Sequence, residues 1–222
     1  MEVKNLTVNY SKQNALNDVS LTIENKNKIF GILGQNGSGK TTLIDVIVGR
    51  INSYSGQTKI PESISYMPDR FFLYEDMTVK QSIELFKQAF SDFNSARAHN
   101  ILHHFKINDD LKLHSASKGI HEQIHLALIL ARDVDFYIMD EPLSAIDPIN
   151  RAAFIQAIEN YRRKNSSVII VTHLIRDLGD MLDQIIFMKE GKFLIQDTKE
   201  YFINKYGSLE KAYFEEISKK AI

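Results

Sequence analysis

The stretch IFGILGQNGSGKTT, residues 29–42, decides the fold class of this chain. An apolar run opens it, the pattern GxxxxGK[ST] fills residues 34–41, and an apolar helical pattern follows that ends at Gly49. A strand, a glycine-rich loop and a helix in this order predict a phosphate-binding loop. Glycines let backbone N–H groups approach phosphate oxygens without a Cβ in the way, and the N-terminus of a helix favours negative charge.

Two residues of this loop have predicted contacts of their own. The Lys40 side chain is expected to reach the β- and γ-phosphates of a nucleotide, and the Thr41 hydroxyl to ligate Mg²⁺. An ordinary glycine-rich turn is the alternative, and the strand and helix on either side argue against it. The predicted nucleotide-binding residues of the loop are Gly34, Asn36, Gly37, Ser38, Gly39, Lys40, Thr41 and Thr42.

Two acids end a second apolar run. The segment FYIMDEP, residues 136–142, reads as a buried strand that Pro142 prevents from continuing. Asp140 is suited to hold Mg²⁺ from its outer coordination sphere, and Glu141 to orient and deprotonate an attacking water molecule. Read alone, the pair also fits a solvated strand end, but two acids in tandem suggest hydrolysis rather than binding.

A histidine closes a third apolar run, in VIIVTH, residues 168–173. Taken alone, His173 fits a structural role better than a catalytic one. In open α/β sheets, however, ligands collect beyond the carboxyl ends of the strands, and Gly34, Asp140 and His173 are all expected at that edge. A donor there can hold the γ-phosphate and the water together. The predicted catalytic residues are Lys40, Glu141 and His173.

The remaining patterns place these motifs in an α/β fold. Alternating apolar residues within 6–10 and 19–23 predict half-buried strands of an N-terminal antiparallel sheet. The three nearly unbroken apolar runs are typical of parallel strands that are covered on both faces. Residues 73–127 are predicted as a helical insertion, in which the spacing from Thr78 to Gln81 is that of a capping box.

Two further patterns lie in the C-terminal part of the chain. Residues 185–188 and 193–195 are predicted to form strands joined by a turn at Gly191. The tail is predicted to form a helix that packs through one apolar face. The residues assigned to this face are Leu209, Tyr213, Phe214 and Ile217.

Composition excludes several classes of protein. The 222 residues include 27 Lys+Arg and 28 Asp+Glu, so nucleic acid is not expected as a partner. The chain has no cysteine, which excludes a disulfide scaffold, thiol catalysis and Cys-ligated metal sites. The longest aliphatic run, Leu126 to Ala131, is six residues, far short of the roughly 20 that a membrane span needs. The first residues show no secretory signal, so a cytoplasmic location is expected.

Taken together, these motifs resemble those of the nucleotide-binding subunits of ATP-binding cassette (ABC) transporters, and the resemblance covers essentially the whole chain. The segments that carry it are GQNGSGKTT (34–42), a signature-like ASKGI (116–120), FYIMDEP (136–142), a D-loop-like SAID (144–147) and the switch-like His173. The resemblance implies a P-loop NTPase (RecA-like) core with an N-terminal antiparallel β subdomain and an inserted helical subdomain. It implies a single ABC ATPase domain, with the boundaries 1–72 and 128–196 for the core, 73–127 for the helical insertion and 197–222 for the C-terminal tail.

The resemblance also assigns residues outside the loop. Tyr10 lies where the family has an aromatic that stacks on adenine; an ordinary strand tyrosine is the alternative. Ser117 and Gly119 match two signature positions that contact the γ-phosphate of the ATP bound by the opposite subunit. Asp147 matches the loop that communicates across that dimer. The assignments of Ser117, Gly119 and Asp147 imply a second cassette, either a copy of this chain or a related subunit.

Two departures from the family pattern change the expectations. In the signature, usually written LSGGQ, Ala116, Lys118 and Ile120 replace Leu, the first Gly and Gln. The serine-lysine-glycine version resembles that of bacterial exporter ATPases of the drug- and peptide-resistance type, which favours export. At the Q-loop, Asp69 stands in place of Gln; a carboxylate can approach Mg²⁺ but cannot donate a hydrogen bond as an amide does. The metal candidates are Thr41, Asp140 and Asp69.

The resemblance implies an ATP-hydrolysing subunit that powers an ABC transporter, in the export direction, by ATP-driven closure of a homodimer or heterodimer. ATP and Mg²⁺ are the implied ligands, and transmembrane permease subunits are the implied partners that hold the chain at the inner face of the cell membrane. The segment FFLY, residues 71–74, begins the insertion that meets the membrane subunit in this family. Four adjacent large apolar side chains in a regular segment cannot all point into the chain's own core, so part of the segment is a candidate for an exposed docking patch; burial in the chain's own core is the alternative. Two other classes stay open: a soluble ABC ATPase without a transport role, and a regulator that barely hydrolyses.

Overall fold

The computed structural model describes residues 1–10, 13–24, 27–178 and 180–218. The strands are β1 (Glu2–Tyr10), β2 (Gln13–Thr22), β3 (Ile29–Leu33), β4 (Ser55–Lys59), β5 (Ile64–Met67), β6 (Phe136–Asp140), β7 (Ser167–Thr172), β8 (Gln184–Lys189) and β9 (Lys192–Thr198). The helices are α1 (Lys40–Ile47), α2 (Val79–Ala89), α3 (Ser95–His104), α4 (Lys118–Leu130), α5 (Pro148–Tyr161), α6 (Ile175–Leu178), α7 (Lys199–Tyr206) and α8 (Leu209–Ser218). No helix within these ranges has the length and apolar character that crossing a membrane requires.

The strands form two sheets. A three-stranded antiparallel sheet has the order β2-β1-β4, and a six-stranded sheet has the order β5-β6-β7-β3-β8-β9. In the larger sheet β5, β6, β7, β3 and β8 run parallel, whereas β9 pairs antiparallel with β8. The predicted α/β fold, with an N-terminal antiparallel sheet beside a mainly parallel core, is confirmed.

The central strand β3 explains why the parallel strands are unbroken apolar runs. Its side chains alternate between two apolar cores: Ile29 and Leu33 belong to the core built with α2 to α5, whereas Phe30 and Ile32 belong to the core built with β1, β2 and α1. All the residues of β3 are buried, and so are those of β6 and β7. A strand that meets no water on either face selects apolar residues at nearly every position.

Helices α2 and α3 and the start of α4 lie in the predicted helical insertion. The capping box of α2 is confirmed, because Gln81 N donates to Thr78 Oγ1 at 3.2 Å and Thr78 N donates to Gln81 Oε1 at 2.8 Å. The buried apolar residues of α2 are Val79, Ile83 and Phe86. Helix α4 continues to Leu130 without a break at residue 127, so it runs from the insertion into the main core.

Helix α8 confirms the predicted tail helix but corrects its apolar face. Leu209, Ala212 and Tyr213 are buried, and Ile217 packs partly against the same core. The prediction that Phe214 shares this face is wrong, since this residue is 68% exposed. Phe214 follows Tyr213 directly and therefore points about 100° away around the helix axis. The predicted β8–β9 hairpin, with Gly191 in its turn, is confirmed.

Candidate active site

The predicted nucleotide-binding and catalytic groups lie at one edge of the six-stranded sheet. Gly34 follows β3, Asp140 ends β6 and His173 follows β7. These strands are neighbours in the order β6-β7-β3 and run parallel, with Asp140 opposite Val171. The carboxyl ends of the three strands therefore bring the loop, the two acids and the histidine to the same edge.

Backbone geometry shapes the loop between β3 and α1. Gly37 and Gly39 have φ values of +80° and +104°, in the region that favours glycine. A Cβ at Gly39 would lie 2.5 Å from Ala15 O, so a larger residue has no room there. At Gly37 no atom of the described residues, apart from the glycine and its two chain neighbours, lies within 4 Å of the same position. The loop is thus closed by backbone behind Gly39 and open beside Gly37, which fits a bound phosphate group.

The side chain of Lys40 is folded into this loop and is only 7% exposed. Its Nζ donates to Gly34 O at 2.8 Å and to Gln35 O at 3.0 Å. Burial lowers the pKa of Lys40, and the nearby carboxylates of Glu141 and Asp140 oppose this shift. A cation held by neutral carbonyls in a poorly solvated loop attracts an anion strongly, because little water screens it.

Asp140 lies beside Thr41, with a distance of 3.4 Å between Asp140 Oδ2 and Thr41 Oγ1. Burial raises the pKa of Asp140 to about 6, and the charges of Glu141 and Asp69 add to the shift. A hydroxyl and carboxylates are hard oxygen donors of the kind that Mg²⁺ accepts, and Asp69 lines the same cavity. These oxygens fit a magnesium ion bound together with nucleotide phosphates.

The Glu141 carboxylate is held by polar contacts with the end of β7. Its Oε1 lies 2.9 Å from His173 Nδ1, and its Oε2 accepts hydrogen bonds from Thr172 Oγ1 at 2.8 Å and from His173 N at 3.4 Å. Glu141 itself has a φ of +51°, which is uncommon for a residue with a side chain. The predicted general base and the predicted histidine are therefore in direct contact.

A cavity of about 430 Å³ opens at this edge, within the size range of small-molecule sites. Tyr10, at the end of β1, is 53% exposed and presents its ring to this cavity. The predicted residues that line it are Tyr10, Asn36, Gly37, Gly39, Lys40, Thr41, Thr42, Asp69, Asp140 and Glu141. Gly34, Ser38 and His173 are not part of this wall, and the Ser38 hydroxyl is buried with no hydrogen-bond partner among the described residues.

Three predicted residues lie apart from the cavity. Ser117 caps α4, with its Oγ accepting from Ile120 N at 3.3 Å, and is exposed. Asp147 caps α5 and is also exposed. Gly119 lies near the segment before α5, where an added Cβ would be 3.4 Å from Ala145 O. We call Ser117, Gly119 and Asp147 the signature patch; none of them lines the cavity.

The sequence patterns do not single out two contributors to this site. Thr172 contacts Glu141, and the signal available in the sequence is a hydroxyl residue that ends an apolar strand directly before His173. Asn14 lines the cavity beside Tyr10, but nothing in the sequence shows that β2 passes this edge.

Known proteins resemble this chain over most of its length. Residues 16–144 match the family model described as "ABC transporter". The chain is 29% identical over 219 residues to the ABC transporter ATP-binding protein YtrB of Bacillus subtilis, covering 91% of this chain and 75% of the relative. It is 27% identical over 225 residues to the lipopolysaccharide export system ATP-binding protein LptB of Haemophilus influenzae, covering 92% of each.

Two further matches extend the comparison. A protein of Thermotoga maritima described as "Probable metal transport system ATP-binding protein" is 32% identical over 189 residues, covering 81% of this chain and 75% of that protein. A solved structure entitled "Structure of ATP binding subunit of ABC transporter" superposes with a TM-score of 0.85 at 23% identity, covering 97% of this chain and 98% of the other, and shares the fold. Because the family model matches more than half of its residues, the chain belongs to the ABC transporter family, as an ATP-binding subunit with ATPase activity.

Proposed function

We propose that this chain hydrolyses ATP at the edge formed by β3, β6 and β7, and that hydrolysis drives a transporter through closure and opening of two cassettes. The observation that carries the proposal is the single cavity that Lys40, Asp140 and Glu141 line. A protein that only binds nucleotide needs the loop alone. A carboxylate held beside the phosphate site supports hydrolysis as well.

The binding step uses the loop and the residues around it. The Gly34–Thr42 loop holds the β- and γ-phosphates, with the buried charge of Lys40 opposite them. Tyr10 stacks on the adenine ring from its exposed position at the end of β1. Thr41 and Asp140 hold Mg²⁺, which neutralises charge on the phosphates when bound.

The chemical step uses Glu141 and His173. The Glu141 carboxylate orients the attacking water and accepts its proton, and the His173 contact with Glu141 Oε1 keeps that carboxylate in place. His173 is about half-exposed, with 45% of its side-chain surface accessible. Its ring is therefore accessible to a γ-phosphate that binds at the sheet edge.

The signature patch completes the site of a second cassette. Ser117 and Asp147 are exposed and Gly119 is half-buried, none of them lines the cavity at the sheet edge, and the first N–H groups of α4 have no acceptor within their own helix. One chain carries both the loop and the patch, so a second copy suffices to complete two sites. Closure then responds to the γ-phosphate, because that anion is shared between the two halves.

A membrane subunit docks in an apolar groove between the core and the helical insertion. The groove has a volume of about 590 Å³ and contains Phe72, Leu85 and Phe90. Phe72 and Tyr74 are 47% and 75% exposed, whereas Leu73 is buried. Within the segment 71–74, Phe72 and Tyr74 therefore contribute to the docking surface and Leu73 to the core. Docking there holds the chain at the cytoplasmic face of the membrane and links ATP hydrolysis to the membrane helices.

We infer export as the direction of transport. The support is the serine-lysine-glycine form of residues 117–119 and the likeness to LptB, whose name gives an export system. Inside-out vesicles that contain this chain with its membrane subunits should accumulate the substrate when ATP is added outside, and accumulation by right-side-out vesicles loaded with ATP would instead indicate import.

The experiment that tests hydrolysis compares Glu141→Gln with the parent protein. The variant should lose about 10²-fold or more in ATP turnover and keep its affinity for ATP, since the amide cannot accept the proton but leaves the loop intact. Glu215→Gln, on the exposed side of α8, is the matched control and should leave turnover unchanged.

The outcomes separate a hydrolase from a nucleotide-dependent regulator. ATP turnover that the parent protein shows and the Glu141→Gln variant loses supports hydrolysis as the function. Equal rates in the variant and the parent would remove Glu141 from its role. Tight ATP binding without turnover in either protein would favour a nucleotide-dependent regulator.

A further inference from the structure

The last residue of β7 carries a hydroxyl directly after four aliphatic residues. Thr172 is fully buried and follows the aliphatic residues 168–171. Its strand lies between β6, which ends at Asp140, and β3, which leads into the phosphate loop. A hydroxyl in such a strand must be hydrogen-bonded, because an unpaired buried polar group costs free energy.

The hydrogen bonds of Thr172 fix the direction of its single proton. Thr172 Oγ1 accepts from Leu174 N at 3.0 Å, which occupies a lone pair of the hydroxyl oxygen. The hydroxyl proton is then donated to Glu141 Oε2 over a distance of 2.8 Å. A hydrogen bond to a charged group is about twice as strong as one between neutral groups, so this contact holds the carboxylate firmly.

We propose that Thr172 is a positioning residue whose hydroxyl holds the Glu141 carboxylate in the orientation from which it takes a proton from water. The inference rests on the proposed role of Glu141 as general base. Glu141 needs such support because its backbone has a φ of +51°, and among the described residues the hydrogen-bond partner of its other carboxylate oxygen is His173. A carboxylate released from Thr172 turns away from the water in part of the molecules, which lowers kcat and leaves ATP binding unchanged.

The alternative is that Thr172 only shapes the turn after β7 through its bond with Leu174 N. Both roles are lost in Thr172→Val, so the effect of that variant alone does not separate them. Thr172→Ser keeps the hydroxyl, and the double variant with Glu141→Gln removes the group on which Thr172 is proposed to act. A double-mutant cycle therefore isolates the contact from general effects on the turn.

The experiment measures ATP turnover, KM for ATP and thermal unfolding for these variants. Thr172→Val should lower kcat about tenfold with KM within about twofold of the parent, and Thr172→Ser should restore most of the rate. In the Glu141→Gln background, Thr172→Val should change the residual rate by less than about twofold. If the valine variant does not fold, Thr172→Ala takes its place in the same cycle.

Each other outcome has a definite meaning. A parent-like kcat in Thr172→Val, or an equal loss in both backgrounds, overturns the positioning role and leaves the proposed hydrolysis standing. A Glu141→Gln variant that turns over ATP at the parent rate overturns the role of Glu141 first, and the inference about Thr172 falls with it.

Discussion

The sheet edge and the signature patch differ in how their side chains are held. At the edge, Lys40 and Asp140 are buried and bonded to other groups of the same chain. In the patch, Ser117 and Asp147 are exposed, and among the described residues their side chains bond to the first turns of the helices that they cap. The neighbouring Ile149 is 89% exposed. One chain therefore holds the groups of its proposed phosphate site in place by itself, whereas the proposed interface residues of the patch stay accessible to a second molecule.

The largest effect is expected at the edge itself. Lys40→Ala should weaken ATP binding by about 10²-fold or more, because the variant removes the buried cation that faces the phosphates. Lys80→Ala, on the exposed side of α2, is the control and should bind like the parent. Calorimetric titration with ATP checks both. Parent-like binding by Lys40→Ala would show that ATP binding does not depend on this lysine. It would contradict the view that the sheet edge holds phosphate with groups of its own chain.

The second prediction concerns the patch. Ser117→Arg should abolish ATP-driven dimerisation, since a long charged side chain blocks the approach of a second chain, yet it should leave ATP affinity of the monomer within about twofold. Ser91→Arg, another exposed serine, should do neither. Light scattering with and without ATP reports the dimer, and calorimetry reports binding. Loss of monomer binding in Ser117→Arg would contradict the assignment of Ser117 to an opposing site.

The third prediction concerns α4, the helix that Ser117 caps and that runs into the main core. His125 is buried between Phe71 and Phe72 with both ring nitrogens unpaired among the described residues, and burial lowers its pKa to about 3. The unfolded chain takes up a proton near pH 6.5 and the folded chain does not, so stability falls on acidification. Between pH 7.5 and 5 the loss from this group is about 2 kcal/mol, and His125→Leu should remove it.

Glu122, three residues earlier in α4, acts in the opposite direction. Burial, and to a smaller extent the charge of Asp69, raises its pKa to about 7, so the folded chain binds its proton more tightly than the unfolded chain. Glu122 therefore adds stability as the pH falls below 7, and Glu122→Gln should steepen the acid loss that His125→Leu reduces. Denaturant unfolding at several pH values measures both slopes. Equal slopes in all three proteins would contradict the account of α4.

The smallest effect is expected at Ile149. Ile149→Ala should leave the unfolding free energy of the monomer within about 0.5 kcal/mol, as for an exposed residue without partners in its own core. The same variant should weaken ATP-driven dimerisation several-fold if the surface around Asp147 meets a second chain. Sedimentation at several protein concentrations measures that change. An unchanged dimer affinity would limit the interface to the caps of α4 and α5.

The same contrast explains how much the sequence predicts. The edge is predictable because parallel strands put their carboxyl ends together, so motifs after β3, β6 and β7 must meet. Phe214 is wrongly predicted because Tyr213 has an apolar neighbour on each side, and packing buries Ala212 rather than Phe214, which the sequence pattern alone does not show. Thr172 escapes prediction because its importance lies in one contact across two strands, which no pattern along the chain records.

Mixing two inactive variants tests most directly whether the edge of one chain is completed by the patch of another. Glu141→Gln and Ser117→Ala, which removes the serine hydroxyl without blocking a second chain, should each turn over ATP poorly when alone. In a mixed dimer, one site combines the intact edge of the Ser117→Ala chain with the intact patch of the Glu141→Gln chain. Random pairing should then restore about a quarter of the parent rate. A mixture no faster than the sum of the separate variants would contradict the shared site.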